Sequence, residues 1–477
     1  MHSLRIPRPS FRLAQIRTFE AARPWATILS VLVASITRWG SAVITLWGSA
    51  VITRWGSAVI TRWGSAVITR WGSAVITRWG SAVITRWGSA VITLLASVMI
   101  TLWGSAVIAQ ETPAGDAAAQ STLLVFVSAF APKNDGAIHA YRFDTRTGAW
   151  KLAKSNHQVE HPFFFALAPD QKFLYSIDAP GTFGGAEHEF LKAWKVDIAD
   201  GTLTPLDRQS TRGTASCYVD IDSTGKMALV ANYSTGSVAS FPILASGDLG
   251  PIRSFVQHEG SSVNAARQTA PHAHCFVISP DNRFAFAADL GIDQILAYRL
   301  DPAEGSLSPA AQPFVRTPPG AGPRHLIFDP SGKHVYVINE LLNSVTHFDY
   351  LADSGMLVER ATVPTLPADF KGTSHCADLK ITPDSKFLYG TNRGHDSIAA
   401  YAIGPQGDLS LIEIRPSLGE GPQNLAITPD GKWLLCANMP GHNVATFAID
   451  PKSGKLTPVG DPLETTSPSC IAIVTAK

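Results

Sequence analysis

The sequence predicts an all-β fold, a seven-bladed β-propeller closed by a blade built from both chain ends and preceded by a low-complexity N-terminal tail. Three observations predict it. A strand–turn–strand unit recurs six times between about residues 161 and 460. Each copy carries four short strands at roughly the ~40–50-residue period of a propeller blade. Strands left over at the two ends of this stretch complement one another.

The clearest copy is residues 322–340, Gly-Pro-Arg-His-Leu-Ile-Phe-Asp-Pro-Ser-Gly-Lys-His-Val-Tyr-Val-Ile-Asn-Glu. Two apolar runs flank an Asp-Pro-Ser-Gly-Lys turn, and both are apolar on both faces, as strands sandwiched between other sheets are. Symmetric pairing about that turn sets position 324 opposite 339 or 340, so Arg324 and Glu340 are expected to meet at the open end of the hairpin. Equivalent turns lie at Pro169-Asp170, Ser223-Thr224-Gly225, Pro280-Asp281, Pro383-Asp384 and Pro429-Asp430. Past each second strand come Asp178, Asn232, Asp289, Asn339, Asn392 and Asn438, which read as turn formers bonding their own backbone. A third strand follows, as in residues 344–348, and a fourth begins after a Gly, as in Gly305-Ser306-Leu307.

Ahead of the six copies, residues 122–128, 137–143 and 149–153 supply strands two to four of a further blade, and residues 469–474 read as its missing first strand. A ring stitched in this way has no open sheet edge. The domain division is therefore a tail at 1–109, a linker at 110–121 and the propeller at 122–477.

The tail is compositionally foreign to the rest. An octapeptide Ile-Thr-Arg-Trp-Gly-Ser-Ala-Val recurs, with Trp39, Trp47, Trp55, Trp63, Trp71, Trp79 and Trp87 in register. A period of eight fits neither an α-helix nor a heptad, and a Gly in every copy disfavours helix. Residues 94–109 resemble the apolar core and small-residue cleavage site of a secretory signal, which predicts an exported or periplasmic protein; without cleavage there the expectation is cytoplasmic. The competing reading is a tandem repeat with no folded role. Membrane contact is expected only through this tail, if it is retained.

Residues 1–110 hold eleven Arg, no Lys and one Glu, so the rest of the chain has 28 basic and 37 acidic residues, about −9. That balance speaks against nucleic acid as a partner, because binding to phosphate backbones needs a basic surface. It also makes any local cluster of Arg more telling. Of the five cysteines, Cys217, Cys275, Cys376 and Cys470 start first strands and Cys436 lies in a second strand. There is no C-x-x-C pair and the count is odd, so they read as small buried apolar residues. No set of His, Cys and carboxylates has ligand spacing, so neither a metal nor another cofactor is expected.

Superposing the copies locates the chemistry. The position six before the turn carries Phe163, Cys217, His274, Arg324, Ala377 and Gln423; the one after the Asp/Asn carries Ala179, Tyr233, Leu290, Glu340, Arg393 and Met439. First strands start and second strands end on one face of the ring. His274, Arg324, Glu340 and Arg393 are thus expected around one channel mouth, with His272, His325, His375 and His395 nearby. Each has a plainer reading: Arg324 with Glu340 as a structural cross-strand pair, and His274 as a satisfied buried histidine.

At these motifs the chain resembles the seven-bladed propeller lactonase family. The resemblance rests on His-Ala-His-Cys-Phe-Val-Ile-Ser-Pro-Asp, Gly-Ala-Gly-Pro-Arg-His-Leu-Ile-Phe, Val-Ile-Asn-Glu-Leu-Leu-Asn-Ser-Val-Thr and Thr-Asn-Arg-Gly-His-Asp-Ser-Ile-Ala, and it covers about 122–477. It implies hydrolysis of a sugar lactone, with 6-phosphoglucono-δ-lactone the substrate to expect, at a site of His274, Arg324 and Glu340. Arg393 belongs to that site as well, and His272, His325, Asn392 and His395 beside it are expected to bind substrate. Gln423-Asn424 departs from the family, where Pro-Arg often stands, so a second anion-binding Arg is missing.

Lactone hydrolysis needs a base to activate water, a donor for the oxyanion and an anchor for an anionic group. Glu340 or His274 is expected as the base, Arg324 as the oxyanion donor and Arg393 as the anchor, in a monomer acting on a small anionic lactone. Three other readings stay open at this point. They are a carboxymuconate-type cyclase that forms lactones, a non-catalytic interaction module, and a metal-dependent sugar lactonase, which would need several carboxylates converging on the axis.

Overall fold

The computed structural model describes residues 122–185 and 187–475, and within the tail the two short parallel strands Val67–Ile68 and Trp71–Gly72. The signal-like residues 94–109 and the linker at 110–121 lie outside the described residues.

Seven antiparallel sheets follow one another around a ring. The hairpin singled out above is the inner half of one of them: Pro323–Phe328, His334–Asn339, Ser344–Leu351 and Met356–Pro364 run from the channel outwards. The closing blade is built as the leftover strands predict. Ile471–Val474 pairs antiparallel with Thr122–Ala129, in the register Leu124↔Val474 to Val127↔Ile471, and Ala137–Asp144 and Trp150–Asn156 complete it.

Apolar residues on both faces of the inner strands bury against the neighbouring blades, whereas the outermost strands are largely exposed. Phe284 and Phe286 of one blade, for example, share a core with Val335, Val337 and Phe348 of the next. Polar ties cross the same seams. Tyr175, Tyr336 and Tyr389, in second strands, donate to the carbonyls of Gly247, Gly407 and Gly454 in the following blade at 2.9, 2.7 and 2.8 Å.

Of the repeated turn positions, Asp289 bonds its own turn, accepting from the Gly291 amide at 3.0 Å, but the Asn positions differ from expectation. They do not bond their own turns; Asn232, Asn339, Asn392 and Asn438 are buried and bond a third-strand side chain, as in Asn392 Nδ2 to Ser397 Oγ at 3.1 Å. Three of them also reach the carbonyl that ends the preceding blade, Thr211, Thr365 and Ser417. A buried amide left without partners costs more than a turn gains, so the seam claims it.

The hairpin register differs too. The ladder pairs Pro323 with Asn339 and then His325 with Ile338, so Arg324 is a bulged residue opposite neither 339 nor 340. The same bulge falls at Cys217, His274 and Gln423, and at Ala377 with Asp378. A bulge re-aims a side chain and sharpens the local twist. Here it falls on Cys217, His274, Arg324 and Gln423, the second residue of each of four inner strands, and all four line the channel mouth.

Candidate active site

Gly322 prepares Arg324. Its φ of +64° and the 2.6 Å that a Cβ would leave to Leu341 Cγ exclude other residues, and its carbonyl accepts from the Glu340 amide at 2.7 Å. Arg324 and Glu340 are thereby set side by side, both almost wholly buried, with Arg324 only 1% exposed.

Glu340 is the centre of the mouth. Oε2 accepts from Arg324 Nε at 3.1 Å and from Arg393 Nη2 at 2.8 Å, while Oε1 accepts from Arg267 Nη2 at 2.6 Å. Burial alone would raise its pKa, but the three guanidiniums override that and hold it at about 2. Arg267 was missed in the sequence. It comes from the 15-residue connection between Ser254–Gln257 and Ala273–Ile278, outside the repeat, and no alignment of blades can find it. Its unusual length was the available signal. Asp293 anchors that loop, accepting from Ser262 Oγ at 2.5 Å and Gln268 Nε2 at 2.7 Å on one side and from the Gly320 and Gly322 amides on the other.

Arg267, Arg324, Glu340 and Arg393 line a cavity of about 320 Å³ together with Phe163, Phe183, Tyr233, His274, Gln423 and Met439. Phe163 and Phe183 stack at 5.1 Å as an apolar wall facing the guanidiniums. Gln423, where the family resemblance leads one to expect a further Arg, accepts from Arg393 Nη1 at 3.3 Å. Arg267 supplies the third guanidinium from elsewhere.

His274 lines the same cavity, with Nδ1 3.7 Å from Cys217 Sγ. Burial, Arg324 and His325 push its pKa well below 6.5, so the ring is neutral. Burial raises the Cys217 thiol, which is therefore protonated and no nucleophile. Burial and Arg393 lower Arg324 to about 10, which still leaves it charged at neutral pH.

The structure brings His274, Arg324, Glu340 and Arg393 together, with His325 against two of them, its Nε2 3.4 Å from Arg324 Nη1 and its ring 5.3 Å from that of His274, and sets the other expected residues apart. His325 itself does not line the cavity: its Nδ1 is 2.9 Å from Asp378 Oδ1, whose other oxygen accepts from Asn424 Nδ2 at 2.8 Å, and its ring packs edge-on against Phe164 and Tyr218. His272 stacks on Tyr233 at 4.6 Å and bonds the Tyr233 carbonyl, behind the cavity wall. Asn392 is consumed by the blade seam. His395 bonds Ser397 Oγ at 2.7 Å and packs on Phe370.

These shifts predict acid lability. His274 and Glu340 both have native pKa values below their ordinary 6.5 and 4.5. Between 6.5 and about 2 the unfolded chain binds more protons than the native one, so stability falls as pH is lowered through that window. Melting curves from about pH 7 to pH 4 should show a steady drop, and a His274→Gln variant should lose the upper part of it. A melting temperature independent of pH over that range would contradict the assignment.

The family model described as lactonase, 7-bladed beta-propeller, matches residues 124–473. A 6-phosphogluconolactonase of Bacillus subtilis is 30% identical over 347 residues, which cover 72% of this chain and 97% of that relative. One of Formosa agariphila is 32% identical over 307 residues, 63% of this chain and 85% of the relative. The solved structure of a periplasmic gluconolactonase of Pseudomonas aeruginosa matches with a TM-score of 0.70 at 33% identity, covering 74% of this chain and 99% of that one.

Proposed function

Because the chain belongs to the seven-bladed β-propeller lactonase family and is a lactone hydrolase, we propose that it opens 6-phosphoglucono-δ-lactone, using His274 as the base. One observation carries the choice of an anionic substrate. Three guanidiniums against one carboxylate leave the cavity at about +2, in a domain whose sequence balance is about −9. Bidentate guanidinium recognition suits phosphate.

Arg393 and Arg267, partly exposed at the rim, hold the phosphate, and the Phe163–Phe183 wall takes the apolar face of the ring. His274 removes a proton from water, whose oxygen bonds to the lactone carbonyl carbon as the carbonyl π pair moves onto oxygen. Arg324 stabilises that oxyanion. Collapse re-forms the carbonyl and breaks the bond to the ring oxygen, which takes the proton back from His274. Glu340 is a poor base here: both its oxygens are committed and its pKa is about 2. Its role is to hold three like charges together. His274 is kept weakly basic first by burial and then by neighbouring charge, Arg324 and Arg393 included, and an arriving anion offsets the guanidinium charge and returns part of its basicity. All these residues come from one ring, in keeping with a monomer.

The signal-like residues 94–109 and the relative named a periplasmic gluconolactonase favour a second reading, export and a lactone without phosphate. Proton release on phosphorylated and unphosphorylated gluconolactones decides between them. The phosphorylated lactone should be preferred, and Arg393→Ala should raise its KM about 10–100-fold, the scale of a lost charge-assisted contact, while moving that of the neutral lactone little. Equal turnover of both by the unaltered enzyme would sink the phosphate assignment.

A further inference from the structure

On the same blade as Arg324 and Glu340, three side chains converge that the reaction does not use. His334 opens the second strand, and His347 and Asp349 stand on the third. The register pairs His334 with Asp349 and Tyr336 with His347, so all three project on one side of the sheet. The second strand runs from His334 to Asn339, beside Glu340, which at about 3.3 Å per residue puts this cluster roughly 20 Å from the cavity.

Its donor atoms lie very close together. His334 Nδ1 is 3.0 Å from His347 Nε2 and 3.1 Å from Asp349 Oδ1, and His347 Nε2 is 3.7 Å from the same oxygen. Among the described residues this is the one set of three His, Cys or carboxylate ligand atoms so gathered. Ligands about 2.0–2.1 Å from a tetrahedral zinc ion stand roughly 3.3 Å apart, which these separations bracket. Hydrogen bonding alone serves the set poorly. A single proton on His334 Nδ1 has to be divided between His347 Nε2 at 3.0 Å and Asp349 Oδ1 at 3.1 Å, whereas one cation can take a lone pair from each of the three atoms.

The surroundings orient the set as a ligand shell is oriented. Arg360 Nε donates to the other carboxylate oxygen at 2.7 Å, leaving Oδ1 turned to the histidines. Tyr336 stacks on the His347 ring at 5.1 Å, and its hydroxyl is fixed by the Gly407 carbonyl. Gly407, on the turn of the next blade, has φ +80°, and a Cβ there would stand 2.5 Å from His347 Nε2 and 2.6 Å from His334 Nδ1. Glycine at that position keeps the space beside both nitrogens open.

We propose that His334 Nδ1, His347 Nε2 and Asp349 Oδ1 form a site for a divalent first-row transition metal, zinc foremost, that braces this blade and takes no part in lactone hydrolysis. Two imidazoles and one carboxylate suit zinc; calcium and magnesium, which prefer oxygen ligands, are poorly served. The nearby Arg360 charge lowers affinity, so micromolar binding is expected. A scan of spacings cannot find the set, because intervals of 13 and 2 residues become neighbours only through the strand register.

The test uses the full chain, stripped with chelator and titrated with ZnCl₂ against a chromophoric competitor. One equivalent should bind, and at about a hundredfold excess over Kd the melting temperature should rise by about 4 °C, with no such rise in Ca²⁺ or Mg²⁺. Turnover should be the same in the stripped protein, which separates this site from the reading of the cavity. His334→Gln, at a half-buried position, should fold and weaken Zn²⁺ binding at least about tenfold, and Asp349→Asn should do likewise. Absence of a saturable equivalent, or an equivalent retained by both variants, would overturn the proposal.

Discussion

Glu340→Gln is expected to destabilise the protein by about 3–5 kcal/mol, the cost of leaving a buried charge uncompensated. The carboxylate is the one anion among Arg324, Arg393 and Arg267, at 3.1, 2.8 and 2.6 Å. An amide keeps the shape but returns one oxygen and a pair of donors, so three guanidiniums would face one another with a further donor among them. Arg324 cannot relax into water, because only 1% of it is exposed. Urea melts give the magnitude. A second readout distinguishes this cause from ordinary loss of packing: inorganic phosphate should restore part of the lost stability by replacing the missing anion. A loss under about 1 kcal/mol would mean that the cluster behaves like a solvent-screened surface pair.

His274→Gln should act in the opposite manner, removing turnover while sparing the fold. The polar contacts of the ring are to Cys217 and to its own backbone, and glutamine fills most of its volume. Without a group to take the proton from water, kcat should fall by roughly 10²–10⁴ with KM little changed. In the unaltered enzyme kcat/KM should stay level through neutrality and decline only below 6.5, in line with the lowered histidine. If instead His274→Gln keeps its kcat, and Glu340→Gln loses its own under conditions where it is fully folded, the base is Glu340.

The ring and most of its mouth were legible in the sequence for one reason, repetition. Blades related by rotation place equivalent positions on a common circle, so aligning turns was enough to gather His274, Arg324, Glu340 and Arg393 without knowing any distance. What repetition cannot express was missed. Arg267 belongs to a connection that is longer than its counterparts in the other blades, so no aligned position corresponds to it. The bulge that aims Arg324 depends on local register, which a hairpin drawn symmetrically about its turn hides. The functions of Asn392 and its equivalents depend on what the adjacent blade offers across the seam, and the charge state of Glu340 depends on how many cations surround it. Both are properties of assembled neighbours, so no single blade, read alone, contains them.

The pairing of Leu124 with Val474 joins residues 350 positions apart in the chain. Such a contact forms late, because the entropy of closing so long a loop must be met before any reward arrives. During synthesis, therefore, Thr122–Ala129 emerges early and its inner edge waits, unpaired, until the final strand leaves the ribosome. Six blades can stack in order behind it, but the cavity is complete only in a ring whose circumference has stopped changing. The enzyme is thus expected to gain activity in a single late step of refolding, well after most of its sheet signal has returned.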